Sequence, residues 1–327
     1  MRLNHSLAAC AALAALAAPN FASAQAGNYP NRPVNIVIPF AAGGTTDTEL
    51  RLYTGKLQAS TGQPWVFDFR GGAGTTIGVG YTLRATPDGY TILSTNSGIS
   101  VIPNFYPELN HSVVSQLIPI TQLSDRSAAI ITSVAALPNV RTVQDLLAYA
   151  KANPGKLNCN TSGPGAATHI GCAALSNVLG IPITPVHYKG VGPGQIDLIA
   201  GRTQVSVGTV FNAWNQVKAG KLRYIAAMGA KRSKLMPDMP TTHEMGYDVD
   251  YPSWLGVFAP PKTPKAIVDK LNAEWVKAVK SPDVVEALDK TGSTAVGSSV
   301  EEFRIAFARE LAVSKKIVEQ NNIKIEE

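Results

Sequence analysis

The 327-residue sequence is short of the residues from which most catalytic and metal sites are built. Histidine occurs five times and cysteine three times, and neither is grouped as the ligand cluster that a structural or catalytic zinc requires. No G-x-S-x-G elbow, H-E-x-x-H pair or G-x-x-x-x-G-K-[ST] loop is present, which removes the ready forms of serine-hydrolase, zinc-peptidase and nucleotide-cleaving chemistry. Gly72-x-Gly74-x-x-x-Gly78 imitates a dinucleotide fingerprint, but its spacing is not G-x-G-x-x-G. No apolar run is long enough to span a bilayer, and there is no low-complexity tract or short repeat. Basic residues exceed acidic ones only by 29 to 23, a formal charge of +6. They are scattered, with Lys231-Arg232-Ser233-Lys234 the densest group, and no aromatics interleave with them, so no nucleic-acid surface is expected.

What is present begins with an apolar block from Leu7 to Pro19 behind Arg2, followed by Ala22-Ser23-Ala24. This is the layout of a secretory signal peptide over residues 1–24. Cys10 sits too early in the apolar block for Leu7-Ala8-Ala9-Cys10 to serve as a lipoprotein cleavage box. Removing the leader takes away one basic residue, leaves +5 and gives an exported product expected to be soluble. About 300 mature residues exceed one comfortable core, so two lobes are expected. The two remaining cysteines, Cys159 and Cys172, would pair in an oxidising compartment where geometry allows.

Val34 to Gly44 is the stretch around which the chain is organised. Val34, Ile36, Val37 and Ile38 form a buried strand stopped by Pro39 and Gly43-Gly44, and a helix opens at Thr45 or Thr46. Such a turn leaves backbone N–H groups pointing out of the strand's carboxyl end, with the helix dipole behind them, where an anion is favoured. On its own this is also an ordinary βα turn of any α/β protein. Strands follow at 64–69 and 90–94 with a helix between, an alternation that implies a parallel sheet. Segments 118–123 and 128–133 read as strands carrying the chain between lobes. A second α/β run has helices at 142–153, 165–179 and 195–200 and strands at 157–160, 183–188 and 205–207. Lys221 to Met228 is read as the return to the first lobe, and amphipathic helices at 265–279 and 300–319 complete it.

Small or glycine-rich turns thus follow strands at Gly43-Gly44, Asn96-Ser97-Gly98, Ser162-Gly163 and Lys189-Gly190, positions where doubly wound folds bind ligands. Four motifs, Val37-Ile38-Pro39-Phe40-Ala41-Ala42-Gly43-Gly44-Thr45-Thr46-Asp47, Pro87-Asp88-Gly89-Tyr90, Lys218-Ala219-Gly220-Lys221-Leu222-Arg223 and Ala259-Pro260-Pro261-Lys262-Thr263-Pro264, occur in this order. Through them the mature chain resembles the periplasmic solute-binding proteins of the tripartite tricarboxylate transporter family, the Bordetella uptake gene type. The resemblance implies an α/β fold of two lobes, a type II Venus flytrap with a mostly parallel, helix-flanked sheet in each. Lobe 1 would comprise residues 25–124 with 229–327, and lobe 2 residues 125–228.

It further implies a monomer with no cofactor, which binds a small organic carboxylate (mono-, di- or tricarboxylate, aliphatic or aromatic) and hands it to membrane permease subunits. Carried over residue by residue, it assigns ligand contacts to Phe40, Ala42, Gly43, Gly44, Asp47 and Ser97 in the first lobe. In the second it assigns Thr161, Ser162, Gly163, Thr168, His169, Tyr188, Lys189, Gly190 and Thr209. Two departures stand out: Asp68-Phe69-Arg70-Gly71-Gly72-Ala73-Gly74-Thr75 replaces the family's usual Glu-Asn-Arg-Pro-Gly-Ala-Gly-Gly, and Gly208-Thr209 stands where an Asp is frequent. The second removes a cleft carboxylate that an amino-acid ligand's ammonium group would need. The same flytrap could instead feed a signalling receptor; an exported enzyme is the remaining alternative.

Overall fold

The computed structural model describes residues 28–40, 42–43, 45–188, 191–320 and 323; the expected signal peptide lies outside them. In chain order the first lobe is built from β1 (Val34–Ile38), α1 (Thr45–Thr61), β2 (Trp65–Phe69), α2 (Thr76–Leu83), β3 (Thr91–Asn96), α3 (His111–Val114) and β4 (Ile118–Arg126). Next come β5 (Ala128–Ser133), α4 (Val143–Ala152), β6 (Asn158–Thr161), α5 (Ala167–Leu179), β7 (Thr184–His187), α6 (Val191–Ile199), β8 (Val205–Thr209), α7 (Val210–Lys218) and β9 (Leu222–Ala227). The chain ends with β10 (Trp254–Ala259), α8 (Lys265–Val279), α9 (Pro282–Asp289), β11 (Ser293–Ala295) and α10 (Val300–Gln320).

Two sheets result, ordered β11-β4-β10-β3-β1-β2 and β7-β6-β8-β5-β9. β1 pairs parallel with β2 and β3, as the strand–helix alternation requires, because a helical crossover returns the chain in the same direction. The sheets as wholes are mixed rather than mostly parallel. β10 is antiparallel to both β3 and β4, and β11 to β4; in the second sheet β5 is antiparallel to β8 and β9, while β6 is parallel to β7 and β8. The antiparallel pairs arise from strands next to the crossings between lobes, which run against the βα units.

β10 has no counterpart in the sequence reading. All six of its residues are buried, so no polar alternation marks it, and Gly256 at its centre weakens the strand signal. That glycine is required by packing: a Cβ there would lie 2.4 Å from the ring of Phe303. The first core is aromatic, with Trp275 edge-on to Tyr53 and Trp65 at 5.9 and 5.6 Å between ring centroids. Phe303 and Phe307 bring α10 against Trp254 and Phe258 on the other face of the sheet. In the second lobe, Thr142 and Asp145 form the capping box that starts α4, satisfying amides at the helix end.

The crossing between lobes is short. Only Ser127 separates β4 from β5, and its carbonyl accepts the Val210 N–H at 2.8 Å while the Arg126 N–H donates to Ser253 at 2.7 Å. The return comes later than Lys221 to Met228: β9 is itself a strand of the second sheet, and Met245, Tyr247, Val249 and Tyr251 still pack on the second core. Trp254 is where the chain re-enters the first sheet.

Candidate functional site

A cavity of about 530 Å³ lies between the sheets at the carboxyl ends of β1, β3 and β4 on one side and β6 and β8 on the other. Of the residues assigned from sequence, Phe40, Ala42, Gly43, Ser97, Thr161, Ser162, Thr168 and Thr209 line it. Asp47, Gly163, His169 and Tyr188 are not on its wall; Gly44, Lys189 and Gly190 fall outside the described residues.

The first-lobe turn is held from behind. Gly43 has φ +80°, the left-handed region that glycine tolerates best, and its N–H donates to Asp47 Oδ2 at 2.8 Å. Asp47 is 4% exposed, and its other oxygen is paired with Arg51 at 2.8 Å, so its charge is matched by a cation before any anion approaches. Thr46, at the start of α1, completes this part of the wall. In the next turn Asn96 Oδ1 accepts the Gly98 N–H at 3.0 Å. That turn is anchored to α10, since Ser100 Oγ donates to Glu310 Oε1 at 2.8 Å and the Trp254 indole N–H donates to Glu310 Oε2. Burial pushes the Glu310 carboxyl up to about 7, against the two donated hydrogen bonds.

The second-lobe turn is equally self-contained. Ser162 N–H donates to Thr168 Oγ1 at 2.8 Å and the two hydroxyls lie 2.9 Å apart. Gly163 N–H donates to Thr161 Oγ1 at 3.3 Å, and Gly165 N–H to His169 Nδ1 at 3.1 Å. His169 is buried, its ring 4.6 Å from that of His187; burial first and the neighbouring imidazole second hold its pKa down to about 4. It is therefore a neutral acceptor that orients the turn. Tyr188 points instead to α6, donating to Asp197 at 2.8 Å. Thr209 lines the cavity and also caps α7 through the Asn212 N–H. The disulfide between Cys159 and Cys172 ties β6 to α5 beneath this turn, with Cα atoms 6.2 Å apart.

The expectation of unpartnered amides in the Val34 to Gly44 turn is thus corrected at Gly43, and Ser162, Gly163 and Gly165 in the second-lobe turn are partnered in the same way. Each N–H is taken by a nearby Asp, Thr or His side chain in a part-buried hydrogen bond, as short polar side chains beside a turn or helix start commonly do. The turns line the cavity with the hydroxyl-bearing Thr46, Ser97, Thr161, Ser162 and Thr168 beside Phe40, Ala42, Gly43 and Asn96.

Sequence reasoning missed the cavity's only charged side chain among the described residues, Arg126. Its side chain is 10% exposed and ion-paired with Glu49, which also accepts from Ser124 Oγ at 2.5 Å and Tyr53 OH at 2.9 Å. It lies between the segments read from sequence as strands, 118–123 and 128–133, and at the end of β4 in the structure; its partner, 77 residues away, was not visible. Asn160, Ser206, Asn212, Gln195, Tyr251 and Ser253 were also missed, together with the apolar Ile131, Leu198, Ala213 and Leu222. Among the described residues no group of three or more His, Cys, Asp or Glu is placed to hold a metal, and no helix is long and apolar enough to cross a membrane.

A model of the tripartite tricarboxylate transporter family receptor matches residues 50–323. A protein of Pseudomonas sp. strain P51, named as a UPF0065 protein in the tcbD–tcbE intergenic region, is 33% identical over 297 residues, 89% of this chain and 86% of its own. Among solved structures, R. palustris Rpa4515 with adipate is similar with a TM-score of 0.79 at 28% identity, over 91% of this chain and 100% of that one. MatC from Rhodopseudomonas palustris with bound malate gives 0.75 at 27%, over 89% and 100%.

Proposed function

This chain belongs to the tripartite tricarboxylate transporter family of receptors, and from that premise we propose that it captures a small organic carboxylate in the cavity between its lobes and delivers it to a membrane permease. The family and its structural neighbours are periplasmic solute-binding proteins, and the chain is one of them rather than an enzyme. The observation that carries the ligand reading is the cavity's position, between the two sheets and lined by hydroxyl-bearing residues at strand ends and helix starts. The adipate and malate held by the two neighbours support the same class.

In this reading Thr46 and Ser97 approach the ligand's carboxylate from the first lobe, and Ser162 and Thr168 from the second. Positive ends of the α1 and α5 dipoles lie behind them. Arg126 adds a donor-rich cation whose net charge is offset by Glu49, so binding relies on many neutral donors and one shared charge. Closure of the lobes excludes water, and hydrogen bonds to the carboxylate strengthen as the local dielectric falls. Nothing in this scheme changes the ligand covalently. Residues 1–24 direct the chain to the periplasm. Gly44, Lys189 and Gly190 are retained as ligand contacts on family resemblance alone. A thermal-shift screen against mono-, di- and tricarboxylates tests the proposal: a ligand present at 100 times its Kd adds about 2.7 kcal/mol of stability, and a panel that leaves the melting temperature unmoved refutes it.

A further inference from the structure

Asn160, Ser206 and Ile131 stand in one row across the second sheet, paired in register on β6, β8 and β5, and all three line the cavity. The row grades from amide to hydroxyl to hydrocarbon. Asn160 is 6% exposed and its Oδ1 has no hydrogen-bond partner. On the apolar side Ile131 is joined by Leu198, Ala213 and Leu222, all but fully buried in the same cluster. Gly208 keeps this region open, since a Cβ there would meet nothing nearer than Ile131 Cδ1 at 3.9 Å. No charged side chain among the described residues lies on this wall; Arg126 extends from the first sheet and is engaged by Glu49.

We propose that this wall receives an uncharged ligand end, so that the preferred ligand is a monocarboxylate whose far portion is apolar and carries one hydroxyl. The inference rests on the carboxylate reading above and narrows it. A hydroxyl supplies the donor that Asn160 Oδ1 lacks, and a buried acceptor without a donor weakens whatever complex leaves it so. A second carboxylate brought here would face that lone pair and a hydrocarbon surface, losing hydration without gaining a cation. Specificity in this account comes from what the wall cannot satisfy as much as from what it contacts. Rotation of the Asn160 amide would present its N–H₂ instead and favour an acidic end, the opposite outcome in the test below.

The test is calorimetry on the intact protein with ligands matched in carbon skeleton: hexanoate, 6-hydroxyhexanoate, adipate and hexanamide, and in parallel benzoate, 4-hydroxybenzoate, terephthalate and benzamide. In the series that fits the cavity, the hydroxy acid should bind about tenfold more tightly than the plain acid and on the order of a hundredfold more tightly than the diacid. A diacid that binds as well as or better than its hydroxy acid overturns this inference while leaving the carboxylate reading standing. If the amides bind as tightly as the acids, or nothing binds, the carboxylate reading itself falls and the inference falls with it. In Asn160→Leu the ratio of hydroxy acid to plain acid should collapse to about one; a surviving preference overturns the assignment to Asn160. Gly208→Lys, whose Cβ would meet nothing nearer than Ile131 Cδ1 at 3.9 Å, supplies the missing cation and leaves Asn160 unsubstituted. It should raise diacid affinity relative to the hydroxy acid, and no change in that ratio also counts against the proposal.

Discussion

Asp47 accepts the backbone N–H of Gly43 at 2.8 Å from a side chain that is almost wholly buried. This bond shapes the turn at the mouth of the first lobe from behind, leaving the cavity face to Ala42, Gly43 and Thr46.

Removing that acceptor should damage binding without touching the ligand. Asp47→Ala removes the acceptor of the Gly43 N–H and releases Arg51, at an expected cost of about 0.5–1.5 kcal/mol in stability. Carboxylate affinity should fall with it by roughly tenfold, because an unpinned turn must be ordered on binding. Asp47→Asn keeps one acceptor and should recover most of both losses. Urea melts and calorimetry on the two variants decide this; an Ala variant with unchanged affinity would show that the turn does not need its brace.

Two buried groups should give stability slopes of opposite sign with pH. His169 has its pKa lowered from 6.5 to about 4, so its contribution is complete above about 6.5 and is lost as pH falls toward 4. Glu310 is raised from 4.5 to about 7, so its contribution is complete below about 4.5 and is lost as pH rises toward 7. His169→Gln, which can still accept from Gly165, should remove the acid-side loss. Glu310→Gln should remove the loss toward neutrality and make the protein more stable than the parent at pH 8. Chemical melts at several pH values check both; variants with the parent's slopes would contradict the burial argument.

How much of this could be read from the chain depended on whether the signal was local. The apolar run at Val34–Ile38 stops at a proline and glycines, and Thr142 announces α4, because caps and turns act over a few residues. β10 escaped because a strand buried on both faces has no polar alternation to show. The cavity wall was harder still. Asn160, Ser206 and Ile131 become neighbours only through strand register, and Arg126 acquires its meaning from Glu49 across the fold. The turn amides were misjudged for a different reason: the acceptors at Asp47 and Thr168 are close in sequence, and their capping role was available but was read as ligand contact, whereas His169, four residues after Gly165, is as readily read as orienting the turn as touching ligand, and it does orient the turn.

Reduction should loosen the second-lobe turn. Cys159 and Cys172 close a loop of sequence separation 13, for which the chain-entropy model gives about 3 kcal/mol of stabilisation. Urea melts with and without a reductant should differ by about that amount. Two titratable thiols in the native oxidised protein would show that the bridge does not form.

The central claim, capture of a carboxylate without chemistry, is tested most directly by titrating the pure protein with the acid that stabilises it best and with that acid's neutral amide, then recovering the ligand for mass analysis. The account expects one acid per chain, an amide weaker by on the order of a hundredfold, and acid recovered unaltered. An amide that binds as tightly as its acid, or a ligand recovered with changed mass, would contradict it.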